Sequence, residues 1–144
     1  MSLIEPIGKA PAPPAAAVDA GFVPREAEDA LARHLLRPLL PGDREMLLIA
    51  GFDIYARLVG FEQAEGDATG CILPRGCWRR LLGAGAATVL MAHNHPSGIA
   101  RPSDADRRCT AETQHFLQLV GVDFADHLIF VDSGHFSFRH AGLI

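Results

Sequence analysis

Two histidines separated by a single residue, His93-Asn-His95, close the apolar run Ala87-Thr-Val-Leu-Met-Ala92. In extended backbone, residues two apart point to the same side, so both imidazoles can converge on one ion. The loop that follows, Pro96-Ser-Gly-Ile-Ala-Arg-Pro102, has its path restricted by two prolines and a glycine. It leads to Ser103 and, one helical turn later, to Asp106. Two histidines and a carboxylate make a ligand set for catalytic zinc that leaves a fourth position for water. Zinc held there brings the pKa of that water toward neutrality and polarises a carbonyl oxygen. The same residues also have plainer uses. His-x-His pairs occur at strand ends without any metal. Ser103-Asp-Ala-Asp106 matches a capping box, in which serine caps a helix and the third residue on reciprocates. The two readings are compatible if Ser103 opens the helix while Asp106 turns toward the ion.

The elements that must position these residues can be read from periodicity and breakers. Ala27, Leu31 and Leu35 share a helical face between Pro24 and Leu36, and Pro38 and Pro41-Gly-Asp43 then break the pattern. Glu45-Met-Leu-Leu-Ile-Ala-Gly-Phe52 reads as a buried strand, with a hairpin partner over Ile54 to Phe61 across a turn near Gly51 to Asp53. A polar loop from Glu62 to Gly70 and a short strand to Leu73 are expected next. Pro74 then opens a helix through Cys77, Trp78, Leu81 and Leu82 that ends at Gly83 and Gly85. A strand to His93 precedes the loop, and a helix from about Ser103 to Val120 follows it. His127 to Val131 forms a last strand, with a hairpin through Asp132-Ser-Gly134 into Phe136-Ser-Phe138. Strands and helices mix without strict alternation. The expectation is therefore an α/β (α+β) domain, a mixed β-sheet covered by helices in two or three layers.

The stretch His93-Asn-His-Pro-Ser-Gly-Ile-Ala-Arg-Pro-Ser-Asp-Ala-Asp106 resembles the JAMM signature of the Jab/MPN metalloproteases: His-x-His, seven residues, Ser-x-x-Asp. The wider chain is similar to the RadC branch of that superfamily, through the His-Asn-His-Pro-Ser-Gly block, Asp126-His-Leu-Ile129 and Phe136-Ser-Phe-Arg-His-Ala-Gly-Leu143. The resemblance implies a mixed-sheet JAMM/MPN domain of the cytidine deaminase-like kind, with Zn2+ held by His93, His95 and Asp106. It also implies an upstream glutamate at the start of a strand that handles the zinc water as general base. Glu45 is in the matching place, with Glu62 and Glu65 as competitors in a segment read as solvated. Ser103 is implied as a hydrogen-bond donor to the oxyanion, with helix capping as its plainer role. Asp126 and His127 are candidates to hold the outer nitrogen of a zinc-bound histidine, although a buried structural hydrogen bond is the plainer and favoured role.

The implied activity is a zinc metallopeptidase or isopeptidase-like hydrolase acting on a protein or peptide. The alternative is a DNA-repair-associated accessory protein whose metal site is structural or vestigial. Thirteen Lys and Arg against seventeen Asp and Glu, a net charge of −4, disfavour an electrostatic nucleic-acid binder. A local basic surface from Arg75, Arg79, Arg80, Arg101, Arg107 and Arg108 would run against that balance. The 44 residues before Glu45 are expected to be too few and too rich in Pro and Ala to hold both the helix-hairpin-helix module of many RadC-like proteins and the helix before the catalytic strand. A zinc deaminase is disfavoured because His-x-Glu with Pro-Cys-x-x-Cys is absent. Residues 1–22, centred on Lys9-Ala-Pro-Ala-Pro-Pro, read as a tail or linker, and 23–144 as the domain. No membrane-spanning run and no signal peptide are legible, so a cytoplasmic location is expected. Cys71, Cys77 and Cys109 lack CxxC spacing and are expected to be buried or neutral thiols.

Overall fold

A computed structural model describes residues 20–65 and 75–144. The apolar runs Leu47-Leu-Ile-Ala-Gly51 and Val89-Leu-Met-Ala92 carry no polar alternation because both of their faces are covered. They form β2 (Met46–Phe52) and β4 (Thr88–Asn94), the centre of a six-stranded sheet. The strand order is β1-β6-β5-β4-β2-β3, with β1 at Phe22–Pro24, β3 at Leu58–Glu65, β5 at Asp123–Val131 and β6 at Gly134–Ser137. Every neighbouring pair is antiparallel except β4 with β5. Parallel neighbours need a crossover. It is supplied by helix α2 (Asp104–Leu119), which follows the site loop, while α1 (Arg75–Gly83) lies between β3 and β4.

The two sheet faces bury different partners, as alternation requires. Ile49, Val89 and Met91 pack against Cys77 and Leu81 of α1 and against Cys109 and Leu117 of α2. Leu48, Ala50, Leu90, Ala92, Leu128 and Phe130 face the other way and are covered by Ala32 and Leu36. The fold is thus a mixed sheet between two helical layers, as expected. Among the described residues no helix is long and apolar enough to cross a membrane.

Several local expectations need correction. The segment after Pro24 is not one α-helix. It is a 3-10 turn at Arg25–Ala27, a π-helical stretch at Leu31–Leu36 and a second 3-10 turn at Arg37–Leu39. Glu28 breaks it, with extended backbone (φ −64°, ψ 138°). That conformation accompanies burial of its carboxylate between Arg37, at 2.6 and 2.9 Å, and His135 Nδ1, at 2.6 Å. The β2–β3 turn lies later than expected. Asp53 Oδ1 accepts from the backbone N–H groups of Tyr55 and Arg57, both at 2.9 Å, and Ala56 takes a positive φ of 61°. Asx-type capping of this kind fixes a turn that hydrophobic periodicity does not mark. Glu62 and Glu65 therefore sit in β3, not in a polar loop. Strand β5 begins at Asp123, four residues before the expected start.

Cys77 is a buried free thiol, whereas Cys109 is disulfide-bonded, so the expectation of thiols throughout fails there. The short strand to Leu73, Cys71, and the tail apart from its last three residues lie outside the described residues. Phe22, the last of those three, pairs with Phe136 in the sheet. Gly134 is required where β1 meets β6. It has φ +156°, and a Cβ there would lie 2.1 Å from the Val23 carbonyl oxygen.

Candidate metal centre

Three segments meet at one end of the sheet: the close of β4, the residue before β2, and the first turn of α2. Antiparallel pairing sets Leu47 opposite His93, so Glu45, two residues before Leu47, lies beside the histidine strand. Ser103 is the N-cap of α2. Its Oγ accepts from Asp106 N–H at 3.0 Å, and its own N–H donates to Asp106 Oδ2 at 2.8 Å. The capping box and the inward-turned Asp106 therefore coexist. The cap leaves the Ser103 hydroxyl proton uncommitted among the described residues.

The ligand-type atoms converge. His93 Nε2 lies 3.0 Å from His95 Nε2 and 3.2 Å from Asp106 Oδ1, and His95 Nε2 lies 3.2 Å from Asp106 Oδ2. Glu45 Oε1 stands slightly farther out, 3.6 Å from His95 Nε2. Glu45, His93 and His95 each bring a ligand atom within 4.8 Å of the others. His93 and Asp106 are buried, while Glu45 and His95 remain partly exposed. Ligands about 2.0–2.1 Å from a tetrahedral zinc sit about 3.3 Å apart, so the two histidines and Asp106 already have that spacing to within a few tenths of an ångström. His95 Nδ1 donates to the Ile99 carbonyl at 2.8 Å. A carbonyl can only accept, so in the neutral ring the lone pair is on Nε2, facing the cluster. The donor set fits a cation: lone pairs and a carboxylate gather at one point.

The electrostatics agree with that reading. Burial works to raise the Asp106 pKa. The neighbouring His93 and His95 rings and the Ser103 N–H outweigh it, and the carboxyl is held ionised well below the usual carboxylate range. Burial works to lower His95, but the Asp106 carboxylate and the Ile99 carbonyl prevail and its pKa is raised. His127 behaves in the opposite way. Full burial, reinforced by His93, pushes it well below the usual imidazole value, so the ring is neutral.

A surrounding layer of residues holds these groups. The parallel register sets His127 opposite Met91, which places it on the same face as His93 and one step earlier. His93 Nδ1 lies 2.7 Å from His127 Nε2, and His127 Nδ1 lies 2.6 Å from Thr110 Oγ1. The His127 ring stacks on Phe138 at 4.7 Å and 7°. Of the two candidates for this layer, His127 reaches a site histidine. Asp126 instead ties β5 to the following turn, accepting from His127 N–H at 2.7 Å, from Arg139 N–H at 3.0 Å and from Ser137 Oγ–H. Asn94 is a site residue that sequence reasoning misses. Its Oδ1 accepts from Met46 N–H at 2.8 Å and its Nδ2 donates to the Arg44 carbonyl at 2.9 Å, which pins the backbone on both sides of Glu45. The sequence does carry a signal, a polar residue between the two histidines, but its partners are 48 and 50 residues away.

The competing glutamates are otherwise engaged: Glu62 pairs with Arg80 Nε at 2.9 Å, and Glu65 with Arg44 at 3.3 Å. Arg107 forms an ion pair with Asp104. The remaining histidines single out one more pair of interest, His135 with Glu28. Trp78 packs on Phe116 at 5.3 Å as a core aromatic.

Comparison with known proteins gives this geometry a family. Residues 25–143 match the family described as the RadC-like JAB domain. A UPF0758 protein of Burkholderia mallei is 43% identical over 103 residues, covering 70% of this chain and 37% of that protein. A UPF0758 protein of Aliivibrio fischeri is 35% identical over 128 residues, covering 83% of this chain and 57% of that protein. The chain thus spans between about a third and three fifths of the length of these curated relatives. The match covers strands β2 to β6, both helices and the whole converging cluster, and the chain belongs to the RadC-like JAB domain family.

Proposed function

We propose that this chain is a zinc-dependent hydrolase of amide bonds, a metallopeptidase or isopeptidase-like enzyme acting on a protein or peptide. His93, His95 and Asp106 would hold the ion. The observation that carries this reading is the gathering of two imidazole Nε2 atoms and both Asp106 oxygens at 3.0–3.2 Å spacings. Zinc bound there supplies an acidified water and polarises the scissile carbonyl.

Glu45 stands beside that position, not among its nearest atoms, which suits a group that handles protons. Its carboxylate takes the proton of the attacking water and passes it to the leaving amine. The Ser103 hydroxyl, fixed by its cap bond, donates its own proton in a hydrogen bond to the developing oxyanion. A cleft of about 230 Å³ borders His95 and Pro96 and is walled by Arg25, Arg37, Phe130 and Asp132; of the four side chains His93, His95, Ser103 and Asp106 it touches His95 alone.

The test compares zinc-loaded wild type with Glu45→Gln on a peptide library read by mass spectrometry. The expected result is cleavage by wild type, about 10²–10⁴-fold slower in the variant, with zinc content unchanged. Undiminished cleavage by the variant would remove Glu45 from the mechanism. Steeply salt-dependent DNA binding, with no cleavage by the zinc-loaded wild type, would favour an accessory protein instead.

A further inference from the structure

The hydrogen bonds behind His93 have a direction, and it starts in helix α2. Thr110 Oγ1 lies 2.9 Å from the carbonyl oxygen of Asp106, one turn earlier in the helix. A carbonyl oxygen cannot donate, so the single hydroxyl proton of Thr110 points there. The 2.6 Å contact between Thr110 Oγ1 and His127 Nδ1 must then take its proton from the ring, which makes His127 the Nδ1–H tautomer. The His127 ring is buried, and among the described residues its two nitrogens meet only Thr110 and His93, with no carboxylate to hold a second proton, so its Nε2 carries a lone pair. That lone pair faces His93 Nδ1 at 2.7 Å, and the proton between them belongs to His93. The neutral His93 ring therefore keeps its own lone pair on Nε2, the atom that joins His95 and Asp106.

We infer that Thr110 and His127 are positioning residues that set the tautomer of His93 and present its Nε2 to the cation. The chain of hydrogen bonds is anchored on the backbone of Asp106, whose side chain enters the same cluster. One residue thus serves the site twice, through its carboxylate and through the carbonyl that orients the hydrogen bonds. Among the described residues the His127 ring hydrogen-bonds to no member of the cluster other than His93, at its Nδ1, and its stacking on Phe138 fixes the ring plane. Reversing the chain would place a proton on His93 Nε2 and close the site to a metal. The purpose of the device rests on the zinc reading above, while its existence does not.

Two measurements separate these points. The first is the tautomer of each histidine in metal-free protein labelled with 15N-histidine, from long-range proton–nitrogen correlations at about pH 8, above the ordinary imidazole range. Wild type is expected to show His93 and His127 both as Nδ1–H. An Nε2–H form of His93 there overturns the inference without reference to any metal. The second is zinc affinity by chelator competition in wild type, Thr110→Val and Thr110→Ser. Loss of an outer-layer partner lowers metal affinity about 10–100-fold. That loss is expected for valine, which keeps the shape, and recovery is expected for serine, which restores the hydroxyl. Equal affinity in all three overturns the inference and leaves the zinc reading intact. If no protein takes up zinc, the zinc reading falls, and the wild-type tautomer alone decides the inference. If Thr110→Val does not fold, the wild-type tautomer and the zinc affinity of Thr110→Ala decide the inference in the same way.

Discussion

Two buried clusters of histidine and carboxylate lie on opposite faces of the same sheet, and they are built on opposite principles. Around Glu28, donors and acceptors balance. Arg37 donates to both carboxylate oxygens, to the Val131 carbonyl at 2.9 Å and to the Gly134 carbonyl at 3.2 Å, and His135 Nδ1 adds a further contact to the carboxylate. Arg37 also lies over the Phe130 ring at 5.0 Å. Each charge there has its counter-charge, and the cluster ties the N-terminal turns to β5 and β6. Around Asp106 the acceptors outnumber the donors, because the hydrogen bonds behind the rings turn both Nε2 lone pairs inward. Buried charge that is internally compensated is architecture. Buried charge left with converging lone pairs is a place for a cation.

The largest effects are expected from neutralising one carboxylate in each cluster. Asp106→Asn is expected to abolish zinc uptake while costing the metal-free fold about 1 kcal/mol or less, because asparagine can still accept from Ser103 N–H. Glu28→Gln is expected to do the reverse. It strands a half-buried arginine and destabilises by about 3 kcal/mol in urea unfolding, with zinc uptake unchanged. Its pH dependence has a definite sign. Although burial works to raise the Glu28 pKa, Arg37 and His135 outweigh it and lower the pKa below 4.5. The carboxylate therefore contributes stability above 4.5 that is lost as pH falls through the folded value. The gap between wild type and Glu28→Gln should close in that acid range. A gap that widens there would show that the Glu28 cluster is not internally compensated.

Smaller effects are expected inside the candidate metal centre. Asn94→Ala frees the backbone on both sides of Glu45 without touching a ligand-type atom. Turnover on any cleaved peptide is expected to fall about 10–100-fold, with zinc content retained. A loss of zinc with no separate loss of rate would show that Asn94 serves the ligands instead. Ser103→Ala removes a cap worth about 1 kcal/mol, read as a lowered melting temperature. If the hydroxyl also meets the oxyanion, turnover falls about 10²-fold as well. A melting shift with unchanged turnover would leave Ser103 as a cap alone.

What is legible in the sequence divides along the same lines. His93, His95, Ser103 and Asp106 fall within fourteen residues, so strand alternation and one helical turn suffice to bring them together. Both central strands are legible because burial on two faces leaves unbroken apolar runs. Glu45 can be reached only through family resemblance, since nothing local distinguishes it from Glu62 or Glu65. His127, Thr110 and Asn94 depend on register across β2, β4 and β5 and on which face of α2 turns inward, and no short window of sequence contains that information. The N-terminal turns read as one helix because Leu31 and Leu35 keep helical spacing, while Glu28 breaks the backbone to reach His135. The β2–β3 turn escapes the pattern of apolar residues and glycines because the Asp53 side chain sets it.

The central claim is that the cluster of His93, His95 and Asp106 is a cation seat. The most direct test is elemental analysis of gently purified protein beside a His93→Ala/His95→Ala double variant, with zinc offered back to both. A cation seat predicts about one zinc per wild-type chain and none in the variant. No metal in the wild type after zinc is offered back, or equal zinc in both proteins, would contradict it.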